Sequence, residues 1–205
     1  MASTLFNHIE TWVGASQPTP GIVRHTASED MQLGLYANKE ADPAVEQSRL
    51  DHFSELLSGG QTIFQVVPNI QTLRWEKVVW NAAWNSLTTL TLADTHFWLS
   101  SSPGAMPMTR RLMTEIIEVA NATGAPLKLD LIDRLIDKIL AMPPIGSSMR
   151  TDYENGRPME VEVILGYPVR KGKELGINVS TAETIYLLLT AVNKRVIAEA
   201  KPLEP

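Results

Sequence analysis

The sequence predicts an α+β chain, with a small α/β segment over residues 1–68 and an all-α domain over residues 69–205. Three observations carry this. Up to Val67, short apolar runs are separated by clusters of turn residues. From Pro68 onward, apolar residues recur at three- and four-residue spacing in long stretches closed by glycine or proline. Charge changes at the same border: residues 1–70 hold 3 Lys/Arg against 8 Asp/Glu, whereas residues 71–205 hold 15 of each.

Taken in order, His8–Gly14, Gly21–His25 and Met31–Tyr36 read as three strands. Gln17-Pro18-Thr19-Pro20-Gly21 and Ser28-Glu29-Asp30 supply the turns between them. Residues 43–58 read as a helix, with Val45, Leu50, Phe53, Leu56 and Leu57 on one face, Asp42-Pro43 at its start and Gly59-Gly60 at its stop. Gln61–Val67 reads as a short apolar strand. Beyond Pro68, helical patterns cover Trp75–Leu92, Ala105–Thr123, Pro126–Ala141, Pro158–Gly176 and Thr181–Ala200. Gly124, Pro143-Pro144, Gly176 and Pro202 end them, and Ser180 is placed to cap the last. Five or six helices are expected.

The composition excludes several functions. With 205 residues, 44% of them hydrophobic, the chain can bury one good core or two small ones. A net charge of −5 without a basic stripe argues against nucleic acid as the main partner. Cysteine is absent, which rules out disulfides, thiolate nucleophiles and cysteine metal sites. The four histidines are scattered, with no H-x-x-x-H, so no metal site is expected. No apolar run reaches the roughly 20 residues a membrane span needs. Met1–Phe6 shows no basic region leading into an apolar core. A soluble, cytoplasmic protein is expected.

Two groups of residues stand out chemically. In Trp75-Glu76-Lys77-Val78-Val79-Trp80-Asn81-Ala82-Ala83-Trp84-Asn85, the residues Lys77, Asn81 and Asn85 recur at i, i+4 and i+8 and form one polar stripe on an otherwise apolar helix. The stripe is either the helix's solvated face or a set of ligand contacts. Its composition bears on the choice: solvated faces favour Glu, Lys and Gln, and Asn is a mediocre helix former. The second group is Gly146-Ser147-Ser148-Met149-Arg150-Thr151-Asp152, followed by Gly156-Arg157-Pro158-Met159-Glu160. Here Ser147 or Ser148 can cap a short helix with Asp152 complementing its dipole, and Pro158 with Glu160 can open the next helix. The basic run Arg170-Lys171-Gly172-Lys173 lies at a helix C-terminal turn, where the macrodipole accounts for it without a phosphate.

At these two groups the sequence resembles the ketopantoate reductase (2-dehydropantoate 2-reductase) family over roughly residues 8–192. The matching segments are Gly21-Ile22-Val23-Arg24-His25, the Leu33-Gly34 turn, Asn69-Ile70 leading into the Lys77–Asn81–Asn85 helix, Ser147-Ser148-Met149 with Asp152, and Glu160 before Gly166. The resemblance implies a partial Rossmann-type segment followed by a helical domain like the C-terminal domain of 6-phosphogluconate dehydrogenase. It implies NADPH-dependent reduction of a 2-oxo acid, in pantothenate synthesis or a secondary-metabolite pathway. It makes Lys77 and Glu160 catalytic, and Asn81, Asn85 and Ser148 substrate-binding. Lys77 would hold the ketone oxygen and give it a proton; Glu160 would bind the substrate hydroxyl and help place the lysine. Ile145 stands where the family often has an asparagine three residues before the serine.

One part of the resemblance is missing. A dinucleotide fold needs a glycine-rich turn after its first strand, so that backbone N–H groups can reach the pyrophosphate. Among 12 glycines, no two are spaced G-x-G. Residues 1–67 read as the last strands and one helix of a Rossmann domain without its nucleotide-binding half. Two functions stay open: a truncated reductase, or a non-catalytic interaction domain. An incomplete sheet also exposes unpaired edge backbone, so self-association is expected.

Overall fold

The computed structural model describes residues 7–36 and 42–199, without the side chains of residues 7, 8, 12, 16 and 26–30. The chain divides into two compact units, Met1–Arg74 and Trp75–Pro205.

In the first unit, β1 (Asn7–Thr19) and β2 (Ile22–Leu35) form one long antiparallel hairpin joined at Pro20-Gly21. Three short strands were expected from the sequence, and two long ones are found. The Ser28-Glu29-Asp30 cluster does not turn the chain. Val13 pairs with Glu29 and Gly14 with Ala27, so Ser28 is the extra residue of a bulge and the ladder continues past it. Leu33-Gly34 likewise lies within β2 rather than in a turn. A Cβ on Gly34 would stand 2.7 Å from the Ile70 Cβ, so this close approach requires glycine.

Helix α1 (Pro43–Gly59) starts where the sequence places it, with the Asp42 carboxylate accepting from the Ala44 amide at 2.9 Å. Strand β3 is only Gln65–Val66, parallel to β2, in the order β1-β2-β3. It is shorter than Gln61–Val67 because the residues after α1 finish the helix: Gly60 N–H and Thr62 N–H donate back to Leu56 and Leu57 carbonyls.

Helix α2 (Ile70–Thr91) begins five residues before the expected Trp75, because the Asn69 side chain accepts from the amides of Gln71 and Thr72. Around it in the second unit lie α3 (Thr95–Ser100), α4 (Ala105–Ala122), α5 (Asp130–Ala141), α6 (Ser148–Glu154), α7 (Tyr167–Glu174) and α8 (Ser180–Glu199). One apolar core joins Val79, Ala83, Trp84 and Leu87 of α2 to Met113 and Ile117 of α4, Ile139 of α5, and Ile185 and Leu189 of α8. α3 shows no helical period in the sequence because it is one and a half turns long; the Asp94 carboxylate starts it by accepting from Phe97 N–H at 2.8 Å. Ala200 and Pro202, expected to end the last helix, lie outside the described residues.

Two local expectations are corrected. Pro158 does not open a helix: residues 157–160 are irregular, a wide π-type turn covers Glu162–Gly166, and α7 follows. Pro168 has no N–H for the carbonyl four residues back, and Tyr167 N–H reaches Glu162 O, so the turn widens by one residue. Nor does Ser180 cap α8. That role falls to Glu115 on α4, 5% exposed, whose two carboxylate oxygens accept from Thr181 N–H at 3.1 Å and Ala182 N–H at 2.8 Å. A carboxylate suits the positive end of a helix, and the amides it meets are ones a helix leaves unpaired.

Glu115→Ala removes both acceptors and should cost about 2 kcal/mol in urea denaturation. Glu115→Gln keeps one acceptor and should cost less. An unchanged midpoint for Glu115→Ala would show that α8 needs no such cap.

Candidate functional site

The polar stripe of α2 is not a solvated face. Lys77 and Asn81 are half-buried, and Asn85 is 5% exposed. One further turn along the same face lies Thr88, fully buried. Every residue from Ala82 to Thr89 is buried, so this stretch of α2 has neighbours on all sides. Two of its hydroxyls satisfy themselves against the helix: Ser86 donates to the Ala82 carbonyl and Thr88 lies 2.7 Å from the Trp84 carbonyl, whereas the Thr89 hydroxyl has no partner among the described residues. Asn85 has no such local partner. Among the described residues, no hydrogen bond engages its carboxamide. The described side-chain atoms of this helix that are fully enclosed without a partner are instead Gln71 Nε2, Trp84 Nε1 and Thr89 Oγ1, so the Asn85 carboxamide keeps some access to solvent.

Thr88 ties the two sequence groups together. Its hydroxyl meets the Ser147 hydroxyl at 2.8 Å, 59 residues away in sequence. Ser147 also caps α6, accepting from Arg150 N–H at 3.1 Å. Of the two adjacent serines, Ser147 therefore performs the structural task. Ser148 is exposed in the first turn of α6, and no hydrogen bond engages its hydroxyl among the described residues. Asp152 does not complement the start of α6: it lies in the helix's second half, and its carboxylate pairs with Arg157 at 2.8 Å. Ile145 turns its side chain to the core while its carbonyl accepts from Thr95 N–H at 3.0 Å.

Two glutamates lie near the start of the π-type turn, and the structure separates them. Glu162 is committed. It accepts from the Tyr186 hydroxyl at 2.6 Å and from Arg170 at 2.5 Å. Gly166 makes this reach across the turn possible, since a Cβ there would stand 2.5 Å from the Glu162 Oε2. The Tyr186 hydrogen bond, and after it the Arg170 guanidinium, hold the Glu162 carboxyl below the usual carboxylate range. Glu160 is exposed, and no hydrogen bond or ion pair engages its carboxylate among the described residues. It therefore makes no hydrogen bond or ion pair with Lys77, Asn81, Asn85 or Ser148. Its backbone is held from α8, where the Asn193 carboxamide meets both Met159 N–H, at 2.9 Å, and Met159 O, at 3.4 Å. The basic run after Gly166 is neutralised: Arg170, Lys171 and Lys173 pair with Glu162, Glu174 and Glu183. It leaves no anion seat there.

The family model described as "Ketopantoate reductase PanE/ApbA C terminal" matches residues 69–193. The chain belongs to the ketopantoate reductase family. A 2-dehydropantoate 2-reductase of Nostoc sp. is 27% identical over 175 residues, covering 85% of this chain and 54% of that protein. The solved 2-dehydropantoate 2-reductase of Methylococcus capsulatus superposes with a TM-score of 0.78 at 32% identity, covering 96% of this chain and 65% of the other. A D-mandelate dehydrogenase solved with NADH has the same fold, with a TM-score of 0.77 at 20% identity over 92% of this chain and 62% of that one. The chain spans about half the length of the curated relatives it matches. The helical second unit is thus the C-terminal domain of a ketopantoate reductase fold.

Sequence reasoning missed Thr88 and Asn193. Thr88 extends the stripe by three residues, and that spacing was available as a signal. Asn193 offers none, since its partner is 34 residues away and is a backbone. Among the described residues, no group of three or more acidic or histidine side chains is placed to hold a metal, and no helix is long and apolar enough to cross a membrane.

The depressed Glu162 carboxyl has a measurable consequence. A group held low in the folded state stabilises the fold at neutral pH, and that contribution fades as pH falls through its folded value. Tyr186→Phe removes the largest cause, so a carbon-13 carboxyl titration should find Glu162 moved back up towards the ordinary range. An unmoved Glu162 would show that the tyrosine hydroxyl does not hold it.

Proposed function

We propose that the second unit provides the substrate side of a ketopantoate-reductase-like oxidoreductase acting on a 2-oxo acid. The observation that carries the reading is Asn85: a carboxamide 5% exposed and without a partner, on the helix face that also bears Lys77 and Asn81. Lys77 holds the ketone oxygen and supplies its proton, and its ammonium stabilises negative charge developing there. Asn81, Asn85 and Ser148 supply hydrogen bonds to the substrate. Glu160 receives its hydroxyl, a role Glu162 cannot take while Tyr186 and Arg170 occupy its oxygens. Ile145, packed against the core, supplies no amide where the family often has one, so a related 2-oxo acid competes with 2-dehydropantoate as the substrate.

NADPH is the cofactor this reading expects, but the residues present do not fit it. No glycine lies between Leu35 and Pro43, or between Val66 and Ile70, the two strand-to-helix junctions of the first unit. The amides opening α1 and α2 are already taken, by the Asp42 carboxylate and the Asn69 side chain. A carboxylate at a helix start repels the phosphate such a start would otherwise attract. The described residues therefore offer no seat for a pyrophosphate, and this chain's own chemistry is confined to the substrate. A cytoplasmic setting belongs to the same reading, as does self-association through β1 and β3, the two edge strands of the sheet.

Calorimetry on the chain tests this. Saturable binding of 2-dehydropantoate or another member of a 2-oxo-acid panel is expected, weakened about tenfold or more by Lys77→Ala. NADPH should show no micromolar dissociation constant. If no 2-oxo acid binds, the reading fails and a non-catalytic interaction domain takes its place. Light scattering should find a mass above the monomer that rises with concentration; a clean monomer at all concentrations contradicts the edge-strand association.

A further inference from the structure

We propose that Asn193 is a positioning residue for Glu160, setting where the carboxylate meets the substrate hydroxyl; this rests on the reading of Glu160 given under the proposed function. Glu160 ends an irregular segment, residues 157–160, so on its N-terminal side no helix or ladder fixes its backbone. Its own carboxylate is uncommitted and so cannot fix it either. The residue before it is held firmly. Met159 N–H donates to Asn193 Oδ1 at 2.9 Å, and Asn193 Nδ2 donates to Met159 O at 3.4 Å. One carboxamide thus pairs with both backbone groups of a single residue, as a neighbouring strand would. The Met159 side chain, 6% exposed, sits in the core of the second unit.

On the other side, Ile164 N–H donates to Glu160 O at 3.1 Å. Glu160 is pinned before and after, while its side chain stays available. A second tie from α8 reaches the helix before that segment: Arg195 donates to the hydroxyl of Tyr153 in α6 at 3.2 Å. Only a carboxamide gives one donor and one acceptor in a fixed plane at this reach. Aspartate keeps the acceptor alone, and leucine keeps neither.

The test combines amide hydrogen exchange with calorimetry of D-pantoate, the 2-hydroxy acid formed when 2-dehydropantoate is reduced, on the whole chain. In Asn193→Leu, the Met159 amide should exchange much faster and D-pantoate should bind several-fold more weakly. In Asn193→Asp, the Met159 amide should stay protected and the affinity should fall between the two. Glu160→Ala should weaken binding by itself, and adding Asn193→Leu to it should cause no further loss, because both act through one group. Additive losses would overturn the positioning role, as would unchanged affinity in Asn193→Leu beside weakened binding in Glu160→Ala. If Glu160→Ala binds normally, or the unmodified chain binds no D-pantoate, the reading of Glu160 fails and the inference fails with it. Should Asn193→Leu not fold, Asn193→Ser, too short to reach Met159, serves in the same comparison.

Discussion

The second unit depends on burying a helix that carries polar groups. From Ala82 to Thr89, α2 has no solvent-facing side, yet it contains an asparagine, a serine and two threonines. Each buried polar group must find a partner or impose a cost. Ser86 and Thr88 solve this against the helix's own carbonyls, and Thr88 also gains the Ser147 hydroxyl. Asn85 and the Thr89 hydroxyl are left over. The same packing that fixes α2 rigidly therefore holds one unpaired carboxamide in place, which is the physical basis for reading the stripe as a binding surface. Rigid support matters for such a site, because hydrogen-bond donors help a reaction only where they are already aimed.

The rest of the unit is tied by long-range contacts between side chains and backbone rather than by local sequence. Glu115 on α4 closes the start of α8, and Asn193 on α8 in turn holds Met159. The path from α4 to the segment before Glu160 thus runs through α8. Surface ion pairs such as Lys171–Glu174 add little, since exposed pairs are typically worth under about 1 kcal/mol. Their effect is to cancel the basic run after Gly166.

Much of the helical unit was legible because its helices are long and their apolar period is strong. α4 and α8 follow the sequence pattern to within about a residue at each described end. The first unit was harder. Ser28-Glu29-Asp30 has turn composition, but strand pairing with β1 overrides composition, and nothing local reveals the partner strand. The π-type turn before α7 was hidden for a similar reason: the helical pattern Pro158–Gly176 runs across Pro168, whose effect appears one turn earlier, in the carbonyl it leaves without a donor. At the site, the stripe of Lys77, Asn81 and Asn85 was visible as spacing. Whether it faced solvent was not, because burial belongs to the partner helices. The distinction between Glu160 and Glu162 was likewise invisible, since it turns on Tyr186, 24 residues from Glu162.

The central claim is that Asn85 is held unpaired for a substrate. The most direct measurement is the side-chain amide resonance of Asn85 in the nitrogen-15-labelled chain as D-pantoate is added. The account predicts a saturable shift of that resonance, together with the backbone amides of Ser148 and Glu160. An Asn85 resonance that stays fixed at saturating D-pantoate, or that already shows protection from exchange by a partner in the ligand-free chain, would contradict it.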